Sequence, residues 1–207
     1  MQTHPIFKPD SPEEDVDRLI AMHPFALVIS SGTGTPLATP LPLLLERDAN
    51  GGMTLLGHMP RAHPHTELLR RQPRALAVFQ GAHGYISPSW LTDRTQAPTW
   101  NFETVHLEVD VEFDDSAEAT EVALTRLVDH MERGRPDAWS VADMGPRYAL
   151  LAPAVIAFRA RVITTYAKFK LGQNERHADL AEILTGLERT RQQPLLDAMT
   201  RGGSSSK

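Results

Sequence analysis

The chain contains no cysteine. That excludes disulfides, thiolate metal sites and cysteine nucleophiles, and it leaves the redox compartment undecided by this residue. It also lacks any excess of positive charge: 21 Lys and Arg stand against 26 Asp and Glu, a formal net charge of -5. Phosphate neutralisation needs clustered cations, so a broad nucleic-acid surface is excluded and no direct nucleic-acid partner is expected, although a local basic patch remains allowed. No apolar run approaches the length of a membrane span. The start, MQTHPIFKPDSPEED, is polar and acidic, with no apolar segment after a basic one, so no signal peptide is read there. A soluble cytoplasmic protein is the expectation. No internal repeat or low-complexity segment precedes RGGSSSK, residues 201–207, which reads as a disordered tail.

What is present is an ordinary globular composition. Hydrophobic residues at 41% and charged residues at 23% of 207 suffice for a sizeable core, and residues 1–200 read as a single domain. DSPEEDVDRLIAMHP opens like a capped helix: Ser11 or Asp10 can cap, Pro12 suits the first turn, and Pro24 ends it. FALVISS reads as a buried strand, GTGTP as a turn and ATPLPLLLER as a second strand. Pro40 and Pro42 share parity there, which fits an edge, a bulge or a ligand-lined rim. DANGG makes a hairpin turn, GMTLLGHM a third strand, and a short helix over Glu67–Arg71 stops at Gln72-Pro73.

RALAVFQG reads as a fourth strand and HGYISPSWL as another, ending at Pro88. In TWNFETVHLEVDVEF, Phe102, Thr104, His106 and Glu108 take one side, while Asn101, Glu103, Val105, Leu107, Val109 and Val111 take the other. SAEATEVALTRLVDHMERG carries Leu124, Leu127, Val128 and Met131 at helical spacing. AVIAFRARVITTYAKFKL is a final long strand and HADLAEILTGLERT a closing helix. Hairpin-linked strands without βαβ alternation predict a mainly β fold, a small antiparallel barrel with peripheral helices.

The densest chemistry lies in LLGHMPRAHPHTELL, residues 55–69, with His58, Arg61, His63 and His65. H-x4-H-x-H is no standard zinc spacing, two prolines break any helix that would align the rings, and carboxylate partners are absent nearby, so no metal site is assigned. Two readings stay open: a polar corner of hydrogen-bonded histidines, or an anion site. For the latter, a strand ends at His58, Arg61 offers a guanidinium fork, and the helix after Pro64 presents backbone N–H groups and its positive dipole end. In PTWNFETVH, Trp100 either stacks on a planar ligand or plugs the barrel end. In KFKLGQN, Lys168 and Lys170 share parity, which fits either an anion between them or a solvated edge. No catalytic triad is legible, and Ser87 and Ser89 in YISPSW do not form a nucleophile elbow.

ATPLPLLLE, GHMPRAHP, GAHGYISPSW, APTWNFETVH and KFKLGQN occur in an order that resembles the PaiB-like proteins. These are an FMN-binding, negative transcriptional regulator family of the flavin-binding split-barrel superfamily. The resemblance runs from about residue 4 to residue 185. It implies a split β-barrel that binds FMN at a homodimer interface and acts as a flavin-dependent oxidoreductase or an indirect regulator. By this resemblance Arg61, with His58 and His63, would hold the flavin phosphate. Thr39, Pro40 and Leu41 would run beneath the ring. Ser87, Trp100, Asn101, Lys168 and Lys170 would complete the pocket, some of them from the partner. The chain departs from the family pattern at Pro40, where His is common, at His63-Pro64-His65 in place of Asn-Pro-Gln, and at Gly172 in place of Ser. The extra imidazoles keep a heme-binding split barrel as an alternative, and a non-catalytic flavin or metabolite sensor is a second one. No helix-turn-helix is found.

Overall fold

The computed structural model describes residues 4–32 and 34–202. Thr33, in the turn expected at GTGTP, and residues 203–207 of the expected tail lie outside the described residues. Seven strands follow in sequence: β1 (Phe25–Ser30), β2 (Leu37–Pro42), β3 (Leu44–Arg47), β4 (Met53–Pro60), β5 (Arg74–Ile86), β6 (Thr99–Asp114) and β7 (Val155–Lys170). They form one sheet in the order β2-β1-β5-β6-β7-β4-β3, and the β1–β2, β1–β5, β3–β4 and β4–β7 ladders are antiparallel. The helices are α1 (Pro12–Met22), α2 (Pro64–Arg71), α3 (Ala117–Glu132), α4 (Arg147–Leu151), α5 (His177–Arg189) and α6 (Gln193–Gly202).

The segment ATPLPLLLER, expected as one strand, divides at Leu43. That residue is buried, and its N–H donates to the Pro24 carbonyl at 2.8 Å instead of continuing the ladder. β2 and β3 are therefore consecutive in sequence yet stand at opposite ends of the strand order. The end position of β2 accommodates Pro40 and Pro42, which pair with Leu27 and Phe25 and have no N–H to give. β5, expected as two strands, is continuous. Ala75, Ala77 and Phe79 are buried, then Gly81 and Ala82 are both buried, and the alternation resumes in the opposite phase at Gly84 and Ile86. That phase shift is what reads as a break in the sequence.

The chain divides into two compact units, with β5, β6 and β7 each contributing residues to both. One unit comprises residues 24–78 and 106–165. In it α3 is capped by Ser116, whose hydroxyl accepts the Ala119 N–H at 3.1 Å. The helix packs on β4 through small residues: Ala123 and Ala119 meet Leu56 and Ala157. The expected apolar stripe is consequently turned away from the core. Leu124, Leu127 and Val128 are only half-buried and Met131 is exposed. No helix among the described residues is long and apolar enough to cross a membrane.

The other unit comprises residues 1–23, 79–105 and 166–207. Leu19, Ile20, Phe79, Ile183, Leu187 and Leu195 fill its interior. β6 alternates as expected, with Asn101, Glu103 and Val105 inward. The Glu103 carboxylate, 1% exposed, accepts from Arg18 Nη2 at 2.9 Å, with Arg201 Nη2 3.9 Å away. α6 was not expected from the sequence. It extends through Arg201 and Gly202, the first residues of the expected tail. Gly172 sits at φ +90°, a conformation that side chains oppose.

Candidate functional site

Six of the residues implicated by the resemblance lie in the first of these units. β4 ends at Pro60, and the chain turns through Arg61 and Ala62 into α2, whose N-cap is His63. His63 Nδ1 accepts the His65 backbone N–H at 3.2 Å, satisfying one free donor of the helix start. Arg61 closes this corner against the chain before β7. Its N–H donates to the Ala154 carbonyl at 2.9 Å, Nε to Pro153 and Nη2 to Val155, each at 3.3 Å, and Nη1 to Asp115 at 2.5 Å.

Asp115 also receives Arg70 Nη2 through both oxygens, at 2.7 and 2.9 Å. Arg70 and then Arg61 hold its carboxyl below the usual carboxylate range. Two guanidinium groups thus share one acid. A cavity of about 480 Å3 opens beside them, lined by Arg61, Asp115, Thr120, Glu121, Tyr148 and Pro153.

The histidines are inward-facing. His58 Nδ1 is buried without a partner, and burial lowers the pKa of the ring. His65 is fully buried. Its Nδ1 lies 2.7 Å from Thr39 Oγ1 on β2, its Nε2 has no partner, and burial, then His63, pushes its pKa down. On β2, Thr39 is half-buried, Pro40 exposed and Leu41 buried. Among the described residues no three His, Asp or Glu side chains converge on a point suited to a metal ion.

The remaining five residues lie in the other unit, described by itself. Trp100 is half exposed. His83 stacks near its indole at 6.1 Å with 22° between the planes, and Tyr85 lies at 6.2 Å. Lys168 Nζ stands 5.6 Å from the Phe7 ring centre and 5.5 Å from that of Phe102, a cation held between two aromatic faces. Lys170 Nζ donates to Thr99 Oγ1. Ser87 is turned to local work: its Oγ accepts the Ser89 N–H at 3.2 Å and contacts Ser89 Oγ at 2.8 Å. Asn101 points the opposite way from Trp100. It is fully buried, donates to Met199 Sδ at 3.5 Å, and leaves Oδ1 unpartnered.

Sequence reasoning missed His83, Tyr85, Phe7 and Phe102, the rings around Trp100 and Lys168. Strand alternation is the signal that would have found His83 and Tyr85, and the phase shift at Gly81–Ala82 concealed it. Asp115 and Arg70 were missed because nothing in their local sequence links them to Arg61.

One unit thus carries guanidinium groups, a chemistry that can meet a phosphate, and the other carries exposed aromatic rings, a chemistry that can meet a planar ring. The sheet with its peripheral helices is of the split-barrel class. Residues 1–164 match the family described as "Putative FMN-binding domain", and the chain belongs to that family, with FMN as the cofactor this membership assigns. The chain is 28% identical over 181 residues to "Protease synthase and sporulation protein PAI 2" of Bacillus subtilis (strain 168), covering 84% of each. It is 30% identical over 116 residues to "Uncharacterized protein YKL070W" of Saccharomyces cerevisiae, covering 54% of this chain and 69% of that one. The PaiB-like resemblance of the motifs is thereby shown.

Among solved structures, the FAD and heme binding protein from Mycobacterium smegmatis matches with a TM-score of 0.58 at 19% identity, over 84% of this chain and 77% of that one. The flavocytochrome Anf3 from Azotobacter vinelandii matches with a TM-score of 0.60 at 19% identity, over 77% and 68%. These likenesses are of fold, and they agree with the expected mainly β split barrel with peripheral helices.

Proposed function

We propose that this chain is a homodimeric flavin oxidoreductase that holds FMN at the subunit interface, with any effect on transcription exerted indirectly. The observation that carries the reading is the open ring group of Trp100, Tyr85 and His83, in a chain whose family binds FMN. Bound FMN would supply hydride transfer, and the protein would supply binding, orientation and electrostatics. In this reading Arg61 holds the phosphate with His58 and His63 beside it. Thr39, Pro40 and Leu41 underlie the ring, and Ser87, Trp100, Lys168 and Lys170 complete the pocket from the partner subunit, while the inward-facing Asn101 supports the strand behind Trp100. Residues 1–200 are treated as one split-barrel domain because three strands contribute to both compact units. The cytoplasm is the compartment the reading assumes.

The dimer reading is supported by an uncovered apolar face. Phe25 is 68% exposed and Leu27 38%, and they pair with Pro42 and Pro40 on β2. Large exposed apolar side chains clustered on one sheet face favour burial against a second copy. The heme alternative is less well supported, because the unpartnered nitrogens of His58 and His65 are buried.

The test is direct. Purified protein should show a flavin absorption band or gain thermal stability with FMN, and NADH or NADPH under anaerobic conditions should bleach the band, with re-oxidation by an added acceptor. Colourless protein with no thermal response to FMN refutes the proposal, and bleaching without turnover reduces it to a sensor.

A further inference from the structure

We infer that His65 is a positioning residue: its Nδ1–H donates to Thr39 Oγ1, so that the Thr39 hydroxyl keeps its own proton for an acceptor atom on the flavin ring. The inference rests on the flavin reading for the identity of the ligand and for its place against Thr39, but its first half concerns this chain alone.

Thr39 and His65 come from separate elements, β2 and the first turn of α2, and meet at 2.7 Å. One hydrogen lies between them, and it belongs to either the imidazole or the hydroxyl. Burial keeps His65 neutral, so only one ring nitrogen is protonated. If that were Nε2, an N–H would be buried with no acceptor, and Nδ1 would consume the single proton Thr39 has to offer. If it is Nδ1, the unpartnered Nε2 is only a lone pair. Buried acceptors left short of partners are tolerated more readily than buried N–H donors. The Nδ1–H tautomer is therefore the one the surroundings select.

The hydroxyl has one donor and two lone pairs. With a lone pair committed to His65, its proton is directed elsewhere. Thr39 is half-buried, whereas His65 is closed off, so the donor of this pair that remains accessible is the threonine. A flavin ring edge offers carbonyl oxygens and an unprotonated ring nitrogen as acceptors, and one N–H as donor. Thr39 fixed as a donor matches the former and disfavours the latter. Its hydroxyl position is set before any ligand arrives, because His65 is held by burial and by the cap at His63.

The experiment has two parts. Nitrogen NMR of histidine-labelled protein without flavin should report His65 as the Nδ1–H tautomer, and Thr39→Val should perturb that signal. An Nε2–H tautomer overturns the positioning role whatever FMN does. In the second part, Thr39→Val should weaken FMN binding about tenfold and shift the flavin absorption maximum, as a lost hydrogen bond to the ring does. Thr39→Ser should retain both properties. His65→Leu should reproduce the Thr39→Val spectrum, and His65→Gln, whose amide N–H can donate to Thr39, should restore it. Thr39→Val with unchanged affinity and spectrum overturns the ligand half. Wild-type protein that fails to bind FMN overturns the flavin reading and the ligand half with it, while the tautomer result still stands or falls separately.

Discussion

Arg61 and Asp115 form an ion pair at 2.5 Å, and Asp115 simultaneously takes both of its oxygens to Arg70. On the proposed reading, Asp115 competes with the flavin phosphate for Arg61. Replacing Asp115 with Asn should tighten binding of FMN and leave riboflavin, which has no phosphate, unaffected. Arg61→Ala should lower the preference for FMN over riboflavin about tenfold or more, since charge-assisted bonds contribute about 1.5–3 kcal/mol. Dissociation constants for the two flavins, measured side by side, check both outcomes. An unchanged ratio in Arg61→Ala removes Arg61 from the phosphate site.

Gly172 at φ +90° predicts a cost for any side chain at this position, serine included. A Cβ there would meet Met199 Cε at 3.0 Å and Leu180 Cδ1 at 3.1 Å, in a backbone conformation that side chains oppose. Gly172→Ser should destabilise the protein by about 1–3 kcal/mol, seen as a lower Tm by calorimetry. An unaltered Tm would show that the backbone relaxes freely there.

Arg18 and Glu103 predict an asymmetry. Arg18→Ala leaves the buried Glu103 carboxylate with the longer Arg201 contact at 3.9 Å in place of its hydrogen bond, whereas Glu103→Gln leaves Arg18 partly solvated and still 3.2 Å from Asp15. Loss of Arg18 should cost toward the lower end of about 3–5 kcal/mol, and Glu103→Gln should cost less. Urea titrations of the two variants measure the difference. Equal losses would contradict the account.

Stability should fall on mild acidification. Burial lowers the pKa values of His23, His58 and His65 below the ordinary value of 6.5. Each then binds a proton more readily unfolded than folded, so its contribution is complete above about pH 6.5 and is lost as pH falls from there toward the folded value. The urea midpoint should be higher at pH 7.5 than at pH 5.5, and His58→Gln should flatten the dependence. Asp93, held low mainly by Thr95, then by Gln96 and Arg176, acts in a separate window below about pH 4. A midpoint constant from pH 7.5 to 5.5 would refute the histidine contribution.

Much of the sheet was legible. The prolines of β2 fitted an edge among three readings, and the edge is where β2 lies, while β6 alternated cleanly enough to group Asn101 with Val105 and Leu107 on one side, which is the inward one. The family resemblance nevertheless grouped Asn101 with Trp100, although adjacent strand residues point to opposite faces. α3 was legible as a helix but not in its facing, because alanines rather than leucines make the close approach to β4. α6 was missed because Leu195, Ala198 and Met199 provide a short apolar stripe between Arg191, at φ +59°, and a polar tail. The clasp of Arg61 depends on Pro153, Val155 and Asp115, which local spacing cannot connect.

Residues 1–23 and 166–207 belong to the same compact unit, and Arg201 and Met199 of α6 stand over Glu103 and Asn101. During synthesis α1 is made well before α6, and its unit lacks these contacts until α6 has emerged. In that interval the inward amide and carboxylate of β6 are uncovered. The unit built from residues 24–78 and 106–165 contains no residue of α6, so the order of translation favours its earlier completion.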